Sequence, residues 1–208
     1  MVVITQYFIR KLRPAFYAFL TRILYSGRVK IGKYFRTDSI PRILVDKGCK
    51  IEIGNNVEFR RNIEIRAHNN SNIIIEDDCR IDRGVRFLST NESTISIGKR
   101  TRIGLNAVFN GGANITVGEK CLISGFVYLQ TSMHAFSSQY KAVQDQGFDH
   151  APVILKNDCW LGTHVVILPG IILEKGAVVG SNAVVTKNVG EYNIVGGIPA
   201  KIIKERMQ

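Results

Sequence analysis

The sequence lacks any apolar run that approaches the about 20 residues a helix needs to cross a bilayer, so no membrane-spanning segment is expected. A secretory signal peptide is not expected either, because basic residues interrupt the apolar ones near the start and no small-residue cleavage site follows. Closely spaced histidines are also absent. A zinc site with three imidazole ligands, of the kind that carbonic anhydrases have, is therefore not predicted, and no metal is expected.

Cysteine is scarce, and none of the four cysteines forms a C-x-x-C pair. Cys79, Cys121 and Cys159 each lie four residues after the start of a repeat described below, where other copies have Val or Ala. A free cysteine packs as a small apolar side chain. We therefore expect core residues, not disulfides or metal ligands, and unpaired thiols are typical of a reducing cytoplasm.

No acidic residue lies between residues 1 and 37, although this segment has eight of the lysines and arginines of a chain with net charge +11. Aromatic and aliphatic residues lie between the charges, which predicts two short basic amphipathic helices on either side of Pro14, within a segment 1–30. Two roles remain open for it: a cap on the first coil, or contact with an anionic membrane surface. Nucleic acid is not an expected partner, because no stacking or base-reading motif accompanies the charge.

The dominant positive feature is an internal repeat. Segments that begin at Ile31, Ile53, Ile75 and Ile97 start 22 residues apart, and further copies begin at Val117, Leu155 and Leu173. Within each copy an apolar residue tends to recur every six positions, as in Ile53, Phe59 and Ile65. Three such steps make one turn of a three-sided solenoid, and the short β-branched runs followed by Gly, Asn or Asp predict strands with sharp corners.

Three six-residue steps make a turn of 18 residues, so any further residues in a copy must leave the coil. Successive copies from Ile31 onwards have 4, 4, 4, 2, 20 and 0 such extra residues. The longest departure spans residues 130–152, where we expect the chemistry. The prediction is an all-β solenoid over residues 31–190. A cap over residues 191–208 is expected to close the last coil with a short strand and a helix.

The ordered C-terminal motifs resemble those of the hexapeptide-repeat acyltransferases, most closely the sugar and polysaccharide O-acetyltransferases similar to the maltose and galactoside acetyltransferases. The motifs are Cys159-Trp160-Leu161-Gly162, Ile167-Leu168-Pro169-Gly170, the segment 180–187 and Gly197-Ile198-Pro199-Ala200-Lys201. The resemblance covers about residues 50–204. It implies a left-handed parallel β-helix and a homotrimer that binds acetyl-coenzyme A between neighbouring subunits.

The resemblance also implies the chemistry and the site. His134, at the start of the long departure, matches the family's general base, and imidazole titrates near working pH, so it can take the proton of a sugar hydroxyl. No acyl-enzyme is needed. Asn106 aligns with an asparagine that contacts the acceptor, and Asn110 is the second candidate. A backbone N–H near Gly162 is a candidate oxyanion donor. The positions matched to acetyl-coenzyme A binding are Trp160, Gly162, Thr163, Ser181, Asn182, Lys187 and Lys201.

The expected function is cytoplasmic transfer of an acetyl group from acetyl-coenzyme A to a saccharide hydroxyl, for example in a lipid-linked precursor of a polysaccharide at the inner membrane face. One alternative is N-acetylation of a nucleotide-linked amino sugar, although such relatives often have an added nucleotide-binding domain. Another alternative, of a different class, is a non-catalytic structural solenoid.

Overall fold

The computed structural model describes residues 12–207 as a coil with three parallel sheets, to which successive turns add one strand each. We name the sheets A, B and C in the order in which the chain visits them. The fold is the left-handed parallel β-helix that the resemblance implies.

The strands are numbered along the chain. Sheet A contains β1 (Val29–Ile31), β4 (Lys50–Ile53), β7 (Asn72–Ile75), β10 (Thr94–Ile97), β13 (Ile115–Val117), β18 (Val153–Leu155) and β21 (Ile172–Leu173). Sheet B contains β2 (Arg36–Thr37), β5 (Glu58–Phe59), β8 (Arg80–Ile81), β11 (Arg102–Ile103), β14 (Leu122–Ile123), β19 (Trp160–Leu161), β22 (Val178–Val179), β24 (Asn193–Gly196) and β25 (Lys201–Glu205). Sheet C contains β3 (Arg42–Val45), β6 (Glu64–Ala67), β9 (Arg86–Ser89), β12 (Val108–Gly111), β15 (Tyr128–Gln130), β20 (Val166–Ile167) and β23 (Val184–Val185).

The strand register confirms the repeat as the structural unit. Ile53 pairs with Ile75 in sheet A, Ile81 with Ile103 in sheet B, and further pairs follow in the same register. Inward residues therefore stack on their counterparts in the next coil, and Phe87 and Phe109 stack with ring centroids 4.8 Å apart. Each fully buried aliphatic side chain contributes on the order of 1.5–3 kcal/mol, so the axial core is the main source of stability.

The predicted structural role of the cysteines is confirmed for Cys79, Cys121 and Cys159, which are buried and free. Each thiol donates to a backbone carbonyl of the following coil, at 3.2 Å for Gly98, 3.2 Å for Lys156 and 3.3 Å for Glu174. Burial raises the pKa of Cys79 to about 12. Cys79 is therefore a neutral packing group at neutral pH.

The corners explain how the chain turns and where extra residues leave. Between sheets B and C the same corner position has a positive φ of 54–72° in six coils, at Asn62, Gly84, Asn106, Phe126, His164 and Asn182. Asn and Gly tolerate this left-handed conformation. Extra residues leave at the corner between sheets C and A, and residues 130–152 leave there too, between β15 and β18. The prediction of one long departure at a common corner is confirmed.

A helix caps the first coil, which confirms one of the two roles left open for the N-terminal segment. Helix α1 (Arg13–Leu24) has Pro14 in its first turn, where a proline costs no hydrogen bond. It packs Ala18 and Thr21 against the coil, and the Arg22 guanidinium donates to the carbonyl of Ile31 at 2.8 Å. The other predicted helix falls in residues 1–11, outside the described residues.

The prediction of a C-terminal helix is wrong. Residues 201–205 form β25, which pairs antiparallel with β24 at the end of sheet B. The last coil has a free strand edge, and a returning strand satisfies its N–H and C=O groups along the chain, which a helix does not do. The expected strand before it is present as β24.

Candidate active site

The long departure folds back as a hairpin. β16 (Ser132–His134) pairs antiparallel with β17 (Phe148–His150), and a 3₁₀ turn spans Val143–Asp145 near the far end. Thr131 anchors the base, because its buried hydroxyl donates to the carbonyl of Asn110 at 2.8 Å and accepts from the N–H of Ala113 at 3.0 Å. The hairpin therefore projects from a fixed point on the corner between sheets C and A.

His134 lies on this hairpin with its imidazole exposed to solvent. Its ring packs on the ring of Phe148, with centroids 4.2 Å apart and planes at 34°. Within residues 12–207 no carboxylate hydrogen-bonds to this imidazole. Contact with Phe148 is what restrains the ring, and the sequence did not single out Phe148 because a three-residue antiparallel pairing leaves no periodic signal.

The two candidate asparagines occupy different surfaces. Asn106 is a left-handed corner residue between sheets B and C, and its side chain covers Gly84, where a Cβ would lie 2.0 Å from Asn106 Oδ1. Asn110 points outward from β12 in sheet C and donates from Nδ2 to the Tyr128 hydroxyl at 3.0 Å. Asn110 is next to the anchor of the hairpin, because its carbonyl accepts from Thr131.

Five of the residues matched to acetyl-coenzyme A binding form one group on sheet B and its corner with sheet C. Trp160 in β19 is half exposed, and its Nε1–H donates to Ser124 Oγ at 3.4 Å. Gly162 follows in the same coil, and its Cα approaches the next coil so closely that a Cβ would lie 2.6 Å from the Ser181 nitrogen. The other members are Thr163, Ser181 and Asn182, and the N–H of Asn182 donates to the Thr163 carbonyl at 2.9 Å.

Glycines open a strip of bare backbone beside this group. Gly162, Gly180 and Gly196 occupy the same position in three successive coils, joined by bonds from Gly162 N to Val179 O and from Gly180 N to Val195 O, both 2.8 Å. We call these three residues the glycine row. Gly162 is buried, whereas Gly180 and Gly196 are partly exposed, so a ligand chain can approach the backbone at these two glycines.

The two lysines lie apart from each other. Lys201 begins β25 and pairs with Gly196, at the end of the glycine row, and is exposed. Lys187 is also exposed but follows β23, towards sheet A. The structure therefore places Lys201 at the Gly196 end of the glycine row, while Lys187 lies beyond the far end of sheet C.

Within one chain the structure does not bring His134 to the glycine row. The hairpin leaves at the corner between sheets C and A, whereas Gly162 and Thr163 lie at the corner between sheets B and C. A side of the coil has six residues per turn, which at about 3.3 Å per residue separates two corners by up to about 20 Å.

One feature of sheet B was not identified from the sequence. An open groove of about 450 Å³ is lined by Arg60, Arg80, Arg102, Ser124 and Trp160, together with Glu58 and Asp82. The signal was present in the repeat, since positions 36, 58, 80 and 102 are all charged and 22 residues apart. Among residues 12–207 no group of three or more His, Cys, Asp or Glu is arranged to hold a metal ion.

No helix within residues 12–207 has both the length and the apolar character that crossing a membrane requires.

Comparisons with known proteins agree with the repeat and the fold. Residues 152–187 match the model of the bacterial transferase hexapeptide (six repeats), and residues 94–130 match the hexapeptide repeat of succinyl-transferase. A probable acetyltransferase of Mycobacterium tuberculosis is 27% identical over 184 residues, 88% of this chain and 52% of that protein. A chloramphenicol acetyltransferase of Klebsiella aerogenes is 46% identical over 81 residues, 39% of this chain and 36% of that protein. The chain thus spans about half or less of the length of these relatives.

Two solved structures share the fold. AntD, an N-acyltransferase from Bacillus cereus in complex with dTDP-4-amino-4,6-dideoxyglucose and coenzyme A, superposes with a TM-score of 0.64 at 20% identity, covering 91% of this chain and 90% of that one. Galactoside acetyltransferase in complex with coenzyme A has a TM-score of 0.57 at 25% identity, covering 64% of each chain. With the two repeat models and the coil itself, these matches support the resemblance of the chain to the hexapeptide-repeat acyltransferases.

Proposed function

We propose that the protein transfers an acetyl group from acetyl-coenzyme A to a hydroxyl of a saccharide, with His134 as the general base. The observation that carries the proposal is the pair of sites on one scaffold: a glycine row beside Trp160, and an exposed imidazole on the single long hairpin of residues 12–207. The resemblance to the family and the coenzyme A bound in the galactoside acetyltransferase structure support it.

The residues around the glycine row suit the coenzyme. Its pantetheine arm is a narrow extended chain, and the partly exposed Gly180 and Gly196 let such a chain approach backbone N–H and C=O groups. The Trp160 indole offers an apolar wall at one end, and the Lys201 ammonium offers a cation for the coenzyme's phosphates at the other. Ser181 and Asn182 are exposed at the adjacent corner and can accept or donate hydrogen bonds.

In the proposed reaction, the imidazole of His134 takes the proton of the acceptor hydroxyl as its oxygen attacks the thioester carbonyl. The new C–O bond forms, the C–S bond breaks, and the imidazolium returns the proton to the departing sulfur. A backbone N–H near Gly162 would stabilise the charge that builds up on the carbonyl oxygen. No step requires a nucleophilic cysteine, in keeping with the buried positions of Cys79, Cys121 and Cys159.

We propose that the active unit is a homotrimer in which His134 of one copy meets the glycine row of its neighbour. The distance between the two corners supports an intersubunit site, and the family resemblance supports three copies. A complementation experiment tests the arrangement. His134→Ala and Trp160→Ala each remove activity, and co-assembled mixtures of the two variants regain part of it, because some interfaces combine both intact halves. Mixtures that stay inactive would contradict a shared site.

His134→Ala tests the base directly. Turnover, followed as release of coenzyme A thiol, falls by about 100-fold or more, since general-base catalysis contributes about 10²–10⁴-fold. Acetyl-coenzyme A still binds, as measured by calorimetry. Near-normal turnover would remove His134 from the role. Failure of the unmodified protein to bind acetyl-coenzyme A would instead favour the non-catalytic solenoid.

N-acetylation of a nucleotide-linked amino sugar is the second candidate. AntD has the same fold and is an N-acyltransferase bound to a nucleotide-linked amino sugar, although at 20% identity the likeness concerns the fold alone. The product decides between them, because alkaline hydroxylamine cleaves an acetyl ester and leaves an acetamide intact. An amide product from the best acceptor in a screen would establish the second candidate.

We further propose that the protein works at the cytoplasmic face of a membrane, on a lipid-linked saccharide precursor of a polysaccharide. The outer face of helix α1 supports contact with lipid, because Phe16, Phe19 and Ile23 are all more than half exposed while the buried face has small residues. The absence of acidic residues from residues 1–37 adds attraction to anionic lipid.

A further inference from the structure

The outward face of sheet B has two rows of side chains with a trough between them. One row contains Glu58, Arg80, Arg102, Leu122 and Trp160, each paired in register with the next. The other row contains Arg60, Asp82, Gly104 and Ser124, which follow the buried strand residues. We call the space between the rows, about 450 Å³, the arginine groove.

Trp160 lies at one end of the arginine groove. Its Nε1–H donates to Ser124 Oγ at 3.4 Å and so bridges the two rows. Beyond this bridge the second row continues as Gly162 and Gly180 of the glycine row. The arginine groove and the glycine row therefore form one continuous path along the coil, with the indole at their junction.

Glu58, at the other end of the groove, contacts the arginines around it but not Arg102, which lies in the middle of the row. Glu58 contacts three arginines, with N–O distances of 4.0 Å to Arg36, 3.3 Å to Arg60 and 3.7 Å to Arg80. Arg102 continues the column, yet no carboxylate lies within 4.0 Å of it in residues 12–207. Its neighbours along the row are Arg80 and the uncharged Leu122. The lining as a whole has three arginines against Glu58 and Asp82.

Sheet C has a similar cluster of one glutamate and three arginines, and there every arginine of the cluster has a carboxylate partner. Glu64 contacts three arginines, Arg42 at 3.9 Å, Arg86 at 2.9 Å and Arg66. Burial alone would raise the pKa of Glu64, but the hydrogen bonds from Arg66 and Arg86 lower it below its ordinary value. The next strand in that column has the uncharged Val108, so no arginine is left over.

We propose that the arginine groove binds the phosphate or diphosphate group of the saccharide acceptor, with Arg102 as the main contact and Arg80 beside it. The proposal rests on the proposed acetyl transfer and names the class of acceptor. A guanidinium holds a phosphate through two parallel N–H bonds, and backbones of neighbouring strands are about 5 Å apart, so two adjacent arginines can contact one diphosphate. Leu122 and Ser124 then lie beneath the attached sugar, on the side nearer Trp160 and the glycine row.

The test is calorimetric titration of inorganic pyrophosphate into the full-length protein already saturated with acetyl-coenzyme A. Arg102→Gln weakens pyrophosphate binding by about tenfold or more, because a charge-assisted contact is lost. Arg102→Lys, which retains the charge without the paired N–H geometry, gives a smaller loss and serves if the glutamine variant does not fold. Arg83→Gln is the matched control: it is exposed one position beyond the second row and makes no ion pair within residues 12–207, and its affinity stays within twofold of the unmodified protein.

Two results would overturn the inference. One is equal pyrophosphate affinity in the Arg102→Gln and unmodified proteins. The other is loss of pyrophosphate binding when acetyl-coenzyme A is added, which would assign the groove to the coenzyme's own phosphates. Acetyl-coenzyme A affinity, measured in a separate titration of the protein without ligands, keeps this outcome separate from a failure of the proposed transferase function.

The source of the phosphate is distinguished by two further ligands. Uridine diphosphate that binds more tightly than pyrophosphate and geranyl diphosphate supports a nucleotide-linked acceptor in the groove. The reverse order, with geranyl diphosphate the tightest, supports a lipid-linked one. In either case the affinity for the larger ligand must fall in Arg102→Gln together with the affinity for pyrophosphate.

Discussion

Ser132 Oγ lies 2.9 Å from Nδ1 of His150, and this contact closes the base of the hairpin that holds His134. Gly112 packs directly beneath it. A Cβ on Gly112 would lie 2.0 Å from Ser132 Oγ and 2.8 Å from His150 Nδ1. The direction of the hairpin thus depends on the absence of one methyl group from the neighbouring coil.

Gly112→Ala should therefore reduce turnover while leaving the coil folded. The added methyl group separates Ser132 from His150 and tilts the hairpin, and a shift of about 1 Å in a catalytic group can cost on the order of 100-fold in rate. We expect a loss of about 10- to 100-fold in kcat with little change in Tm. In a Ser132→Ala background the same substitution should cost less, because the nearest atom is gone. Equal losses in both backgrounds would argue against this contact as the cause.

Phe148 should matter through the position of His134. Phe148→Leu removes the flat surface on which the imidazole rests, 4.2 Å between ring centroids, and lets the ring reorient. We expect kcat to fall by about tenfold with an unchanged KM for acetyl-coenzyme A, since the coenzyme is bound elsewhere. Phe148→Tyr retains the ring and should retain most of the activity. A change confined to the KM of the coenzyme would show that Phe148 acts differently.

The sequence predicted the coil well because its determinants are local and repeated. Ile53, Ile75 and Ile97 recur at the spacing of one turn, and a one-residue slip would turn each of them outward. The long departure was equally visible, because it breaks the count. Cys79 and its counterparts could be assigned to the core from their position in the repeat alone.

Features that depend on pairing between distant segments were not predictable in this way. The stacking of His134 on Phe148 needs a turn of thirteen residues to bring two short strands together. The strand Lys201–Glu205 has lysines, isoleucines and a glutamate that suit a helix equally well, and the free edge of β24 decided its conformation. The distance between His134 and Gly162 depends on which corner of the coil each segment reaches. The trimer was expected only because of the resemblance to the family.

Gly162 and Gly180 offer a matched test of close packing in the glycine row. A Cβ at Gly162 would lie 2.6 Å from the Ser181 nitrogen and 2.9 Å from its Cα, so the backbone must move. Gly162→Ala should lower the free energy of unfolding by about 1–3 kcal/mol and weaken acetyl-coenzyme A binding. At Gly180 the nearest atom would be 3.4 Å away, and Gly180→Ala should change stability by less than about 1 kcal/mol. Denaturant unfolding of both variants measures the difference, and equal losses would contradict it.

Cys79 should make the protein less stable at alkaline pH. Burial raises its pKa to about 12, whereas an exposed thiol titrates near 9.0, so the folded state retains a proton that the unfolded state releases. Its contribution to stability is complete below pH 9 and is lost as the pH rises from about 9 towards 12. Cys79→Val should show a shallower decline in unfolding free energy over this range. Parallel pH profiles for the two proteins would contradict a buried neutral thiol.

The exposed face of α1 gives the last prediction, on membrane contact. Phe16 and Phe19 are 57% and 60% exposed, so the cap on the first coil does not use them. Inserting such a side chain into lipid contributes on the order of 1.5–3 kcal/mol, and basic residues nearby add attraction to anionic headgroups. Phe16→Ser/Phe19→Ser should therefore reduce sedimentation with vesicles of phosphatidylglycerol by about tenfold or more.

Tyr140→Ser is the control for this experiment, because Tyr140 is 89% exposed on the hairpin, far from α1 in the chain, and should leave vesicle binding unchanged. Binding should also weaken as salt is raised, since headgroup attraction is screened while the apolar contribution remains. If the double variant binds vesicles as the unmodified protein does, α1 serves only as a cap. If instead it changes only the mass of the assembly in solution, the apolar face packs between copies of the chain.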